Sequence, residues 1–232
     1  MIRFRLLGIP VRVHPLFWVL ALVLGIGGLT GWELAVWVGV VFVSVLIHEL
    51  GHALTAVAYG QDPAVTLHAF GGMTTFVPGP DHGPGRAVAV TLAGPLAGFA
   101  FAGLSWVAYH FTGLGDGPDP VRLALVALIW VNLVWGVFNL IPIRGLDGGQ
   151  AMAGIVTIVA PARARWITET VYVVVGVAAA VYGFVAGYPI LALVAILFTF
   201  GGWFRDPAEP PATGPEEGAA PRPRPEEPEL PL

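Results

Sequence analysis

Apolar residues along this chain gather into long blocks, and six stand out at about 16–30, 34–59, 87–111, 121–143, 166–186 and 188–204. A helix needs about 20 apolar residues to cross the hydrocarbon of a bilayer. The pattern therefore predicts an α-helical polytopic membrane protein with about six transmembrane helices. The first and last blocks are short, and Gly187-Tyr188-Pro189 separates the final two. Two stretches depart from the pattern. Residues 2–14 alternate Ile2, Phe4 and Leu6 with Arg3 and Arg5, a period of two that suits a half-buried strand. Residues 65–77 read as two β-rich runs joined by Gly71-Gly72 as a two-residue hairpin turn. Non-helical backbone at membrane depth persists only where protein buries it or where it lines a wet cavity. A small membrane-associated β-sheet, N-terminal strand plus hairpin, is therefore expected at the cytoplasmic face. From Asp206 onward 9 of 27 residues are Pro. This divides the chain into a membrane-embedded core over 1–205 and a disordered Pro/Glu-rich cytoplasmic tail over 206–232.

Composition sharpens the picture. Of 232 residues, 56% are hydrophobic and 11% charged, against roughly 25% charged in a soluble domain. Such a chain cannot cover a water-facing surface, which excludes a soluble enzyme and a nucleic-acid binder and makes the lipid bilayer its first partner. The absence of Cys removes disulfides and thiolate metal ligands. Residues 1–205 hold 9 Arg and 8 acids, whereas 206–232 hold 2 Arg and 7 acids. Arg3, Arg5 and Arg12 precede the first block, but 25–31 lacks a small-x-small cleavage pattern, so the block reads as a retained span. With six spans, Arg3, Arg5, Arg12, Arg86, Arg144, Arg163, Arg165, Arg205, Arg222 and Arg224 share one side and Arg122 faces them alone. The excess of positive charge assigns that side, with both termini, to the cytoplasm of a multi-pass protein of the cell membrane.

The chemistry lies in polar residues set inside apolar runs. The second block contains His48-Glu49-Leu50-Gly51-His52. Charged groups in mid-membrane cost about 2.5 kcal/mol or more each, so they mark function. On a helix, His48 and His52 lie one turn apart on one face, a spacing at which two imidazoles bind one zinc ion, with Glu49 beside it to accept a proton from water. A catalytic zinc takes a third protein ligand. Asp147 is the candidate, at the cytoplasmic end of the fourth block, where Pro142 breaks the helix and Gly145, Gly148 and Gly149 let the backbone unwind. An ordinary helix end with Asp in a Gly-rich turn is the other reading of that segment. Topology favours a ligand, because the second and fourth blocks run the same way and both reach the cytoplasmic third of the bilayer. Charge agrees: a divalent ion with two imidazoles, one carboxylate and one hydroxide is neutral, the least costly state in a low dielectric. His14, His68, His82 and His110 sit near predicted interfaces and read as surface or satisfied histidines. Gly94 and Gly98 form a small-xxx-small face for close helix packing. Asn132 either lines a wet path or bonds across helices.

The pairing of His48-Glu49-Leu50-Gly51-His52 with Asn139-x-x-Pro142-x-x-x-Leu146-Asp147-Gly148 resembles the site-2 protease family of intramembrane zinc metalloproteases. The likeness extends to Gly8-Ile9-Pro10-Val11-Arg12-Val13-His14-Pro15, the Gly-Gly hairpin and Gly94-Pro95-Leu96-Ala97-Gly98, and covers essentially 1–205. It implies that His48, His52 and Asp147 bind one zinc per chain, that Glu49 is the catalytic acid/base, and that Asn139 bonds substrate or an oxyanion; a helix-packing amide is the other reading of Asn139. The substrate implied is a transmembrane protein, cut near the cytoplasmic side. A locally unwound substrate would pair with an edge strand of the 65–77 hairpin. Two other classes stay in view, a transporter using the buried His, Glu and Asp as an ion path, and an inactive membrane adaptor of the same fold. The apolar third, fifth and sixth blocks argue against the first, and the presence of every motif residue gives no support to the second.

Overall fold

A computed structural model describes residues 1–69, 71–78 and 83–200; the expected tail, its boundary at 205 and His82 lie outside them. Among the described residues the elements run β1 (Ile2–Leu6), β2 (Ile9–Val13), α1 (Pro15–Ile26), α2 (Trp32–Ala58), β3 (Ala64–His68), β4 (Gly71–Thr75), α3 (Pro84–Phe111), α4 (Asp119–Asn139), α5 (Asp147–Val159), α6 (Ala164–Val185) and α7 (Pro189–Phe200). Four helices, α2, α3, α4 and α6, are long and apolar enough to cross a membrane. Helices α1 and α7 are described over 12 residues each, short of the roughly 20 that a straight crossing takes. The chain is thus a helical membrane protein with a small sheet, and four of its six apolar blocks form helices of crossing length among the described residues. Lipid rather than water suits its outer surface: Phe184 and Val185 near the end of α6 are 80% exposed, and apolar area of that kind facing water is costly.

The sheet has four strands in the order β1-β2-β3-β4. The single strand expected over 2–14 is instead a hairpin, in which β1 and β2 pair antiparallel from Ile2↔Val13 to Leu6↔Ile9. Its turn is Leu7-Gly8, with φ of 52° and 84°. Positive φ at both turn residues gives the backbone twist that two-residue hairpins favour. Strand β2 then runs parallel to β3, with Val11↔Val65 and Val13↔Leu67, and β3 returns antiparallel into β4. Alternation turns Ile9, Val11, Val13, Val65 and Leu67 inward, onto Phe17 and Ala21 of α1 and Val41, Val45, Leu46 and Ala53 of α2. This core fixes the sheet against the second half of α2.

A second correction concerns the glycine pair. Gly71 and Gly72 are not the turn; Gly71 pairs with His68, and the glycines open β4. Their smallness serves close approach. A Cβ on Gly72 would lie 2.3 Å from Cγ of Glu49, and one on Gly71, at φ +116°, 2.8 Å from the Trp135 ring. The third correction is that α4 stops at Asn139 and Asp147 opens a separate helix, α5, which the sequence pattern did not reveal. The glycines that suggested unwinding pack this helix: a Cβ on Gly148 would meet the Leu140 carbonyl oxygen at 2.0 Å and one on Gly149 that of Ile143 at 2.1 Å.

Candidate metal centre

Helix α2 is apolar except along one face, where Ser44, His48 and His52 recur every fourth residue beside Glu49, all buried. Side chains four apart on a helix stack one turn above another. The imidazoles of His48 and His52 accordingly lie 4.9 Å apart, centroid to centroid, edge to face. Helix α3 approaches this face through small residues: a Cβ on Gly51 would stand 2.4 Å from the Ala93 carbonyl oxygen, and one on Gly94 would stand 2.2 Å from Nε2 of His52. The small-xxx-small face thus makes room for an imidazole as well as for a helix. Gly98 packs beside Asn132.

From the other side comes Asp147. As the first residue of α5, its carboxylate sits where the helix dipole stabilises negative charge. Oδ2 of Asp147 lies 3.0 Å from Nε2 of His48 and 3.4 Å from Nε2 of His52, and the two Nε2 atoms are 3.2 Å apart. Ligand-type atoms of His48, Glu49 and His52 all fall within 4.8 Å of one another. Whether this set fits a zinc ion can be judged from its own spacing. Donors 2.0–2.1 Å from a tetrahedral ion lie about 3.3 Å from each other, the separation these three atoms show. The second nitrogen of His52 agrees: Nδ1 stands 2.8 Å from the Val90 carbonyl oxygen, to which it can only donate. That fixes the tautomer and leaves the Nε2 lone pair turned into the cluster, as in metal-bound histidines. Nδ1 of His48 is buried with no hydrogen-bond partner among the described residues.

Glu49 points toward β4 instead of into the trio. The Thr74 hydroxyl lies 2.7 Å from Oε2 of Glu49 and 3.1 Å from its backbone oxygen, and donates to one of them. Sequence reasoning missed Thr74, Gly72, Val90 and Gly94 as parts of this site; period-two alternation places Thr74 on the inward face of β4, and that was the available signal. Asn139, buried at the end of α4, donates to the Trp135 carbonyl oxygen at 2.9 Å. The described hydrogen bonds do not join it to the trio. Asn132 bonds across helices, donating to Oγ of Ser44 at 2.9 Å. The other histidines lie elsewhere: His14 caps α1, accepting from the Leu16 amide at 3.3 Å, His68 ends β3, and His110 lies among Trp106, Tyr109 and Phe111.

A bundle of apolar helices that buries a His-Glu-x-x-His turn against a carboxylate defines a membrane protein with a candidate metal centre. Comparison with known proteins agrees. Residues 119–183 match Peptidase family M50. The Site-2 Protease from Methanocaldococcus jannaschii superposes with a TM-score of 0.61 at 26% identity, covering 87% of this chain and 93% of that one. A candidate zinc metalloprotease of Synechocystis sp. is 35% identical over 166 residues, 65% of this chain and 42% of the relative. The zinc metalloprotease of Methanocaldococcus jannaschii is 31% identical over 159 residues, 66% of this chain and 44% of the relative. Residues 119–183 thus carry a Peptidase family M50 match, and the fold is similar to that of a site-2 protease. In sequence the chain matches less than half the length of these two curated relatives.

Proposed function

We propose that this chain is an intramembrane zinc-dependent endopeptidase that cleaves transmembrane segments of membrane-protein substrates. The observation that carries the reading is the convergence of Nε2 of His48, Nε2 of His52 and Oδ2 of Asp147 at mutual distances of 3.0–3.4 Å, with Glu49 beside them in an apolar helix. His48, His52 and Asp147 hold one zinc per chain. Bound there, the ion supplies Lewis-acid polarisation of a scissile carbonyl and lowers the pKa of water toward ~7. Glu49 accepts the proton of the attacking water and delivers it to the departing amine. Asn139 serves the substrate side of the site.

A transmembrane substrate hides its peptide bonds in its own helix and must unwind to be cut. Strand β4 is the end strand of the sheet, and its Thr74 touches Glu49. An unwound segment pairing with its outer edge would lie along the catalytic carboxylate. In this reading residues 1–205 form the protease, 206–232 form a Pro/Glu-rich cytoplasmic tail, both termini face the cytoplasm, and the site lies toward that side of the cell membrane.

Metal analysis of the purified, detergent-solubilised protein tests the reading without a known substrate. About one zinc per chain is expected in the wild type, weakened or lost in Asp147→Ala. A folded wild type without metal would remove the catalyst and leave an adaptor of the same fold.

A further inference from the structure

The segment that delivers Asp147 is gripped from outside the site by one face of α6, and we propose that Arg144, Glu169 and Tyr172 form a clamp that positions Asp147 as a metal ligand. The inference rests on the zinc reading above. Asp147 follows the break between α4 and α5, so its carboxylate keeps its place only if the backbone is held on both flanks. Ahead of it, the Arg144 guanidinium pairs with the Glu169 carboxylate and lies over the Tyr172 ring, Cζ 5.0 Å from the centroid. Beyond it, the Tyr172 hydroxyl donates to the Gly149 carbonyl oxygen at 2.9 Å. Glu169 and Tyr172 stand three apart on α6, close to one turn, and share a face. A single patch of α6 therefore holds the residue three before Asp147 and the residue two after it.

The contacts differ in what they contribute. The Arg144 and Glu169 side chains are 29% and 41% exposed, and a pair so placed contributes little to the stability of the fold itself. Tyr172 is buried, and a buried hydroxyl must find an acceptor; it has taken a carbonyl oxygen of the α5 first turn. Gly149 admits the ring, because a Cβ there would stand 3.0 Å from Cε1 of Tyr172. In the structure Glu169 and Tyr172 act on the trio through Asp147 and its backbone, which makes them positioning residues.

Groups that orient a metal ligand typically govern affinity by about 10–100-fold. The test uses the full chain in detergent, with zinc affinity measured by chelator competition and the ligand field read from the visible absorption of the cobalt(II)-loaded protein. Tyr172→Phe keeps the ring beneath the guanidinium and removes the hydroxyl; Glu169→Gln removes the charge. Both are expected to weaken zinc about tenfold and to change the cobalt spectrum, while Tyr182→Phe, on an exposed part of α6, matches wild type. Wild-type affinity in Tyr172→Phe and Glu169→Gln would overturn the clamp. So would a loss of affinity that tracks unfolding while the bound fraction keeps the wild-type spectrum. A wild type that takes up neither metal would overturn the zinc reading itself, and the clamp with it.

Discussion

Gly94 stands closer to His52 than any side chain would permit, and that one missing methyl is a condition of the site. A Cβ placed there meets Nε2 and Cε1 of the imidazole at 2.2 and 2.4 Å, and the ring cannot yield without giving up its bond to the Val90 carbonyl. Gly94→Ala is therefore expected to strip zinc from the purified protein while leaving its helix content intact, as circular dichroism beside metal analysis would show. Glu49 calls for the opposite outcome. Glu49→Gln keeps the shape of the side chain and the zinc, and loses the base; against a cleaved membrane substrate it should fall by about 10²–10⁴-fold. Full activity in that variant would sink the assignment of Glu49. Thr74→Val tests the neighbouring hydroxyl. A hydrogen bond to a charged group contributes about 1.5–3 kcal/mol, so turnover should drop about tenfold or more with zinc retained, and Thr74→Ser should restore it.

Among the elements, the long helices and the sheet were legible in the sequence, and the break before Asp147 was legible in part. Unbroken apolar blocks name α2, α3, α4 and α6 because a bilayer demands them. The pairing of His48 and His52 reads directly from helical periodicity. Helix α5 did not read, because Gly148, Gly149 and Gly154 look like breakers until their surroundings are known; each sits where a Cβ would collide with Leu140, Ile143 or Val88. The same holds for Gly71 and Gly72, whose tertiary contacts outweigh the usual link between a glycine pair and a turn. Among contacts between distant elements, Val90 with His52 has no local signal at all, and Thr74 with Glu49 has only the alternation that turns Thr74 inward. The element-scale prediction follows from Gly148: an Ala there overpacks the junction of α4 and α5, costs about 1–3 kcal/mol, and should lower the thermal midpoint in detergent together with zinc retention.

For the molecule as a whole, orientation is the property most open to direct measurement. The chain has no Cys, so a single introduced thiol reports its side of the membrane without background. The proposed topology puts the α3–α4 connection outside and the α2–β3 connection inside. In intact cells a membrane-impermeant maleimide should label Thr112→Cys and spare Asp62→Cys; the reverse pattern would invert the protein and move the site to the outer half of the bilayer. The described fold also has a consequence for how the molecule comes into being. His48 and Asp147 meet across 99 positions of sequence. A growing chain inserts its paired imidazoles long before the carboxylate that completes the set has been synthesised. On the proposed ligand set, a protease still being made carries an unfinished catalyst, harmless to the other helices crowding the insertion machinery, and becomes competent once the ribosome has moved past α5.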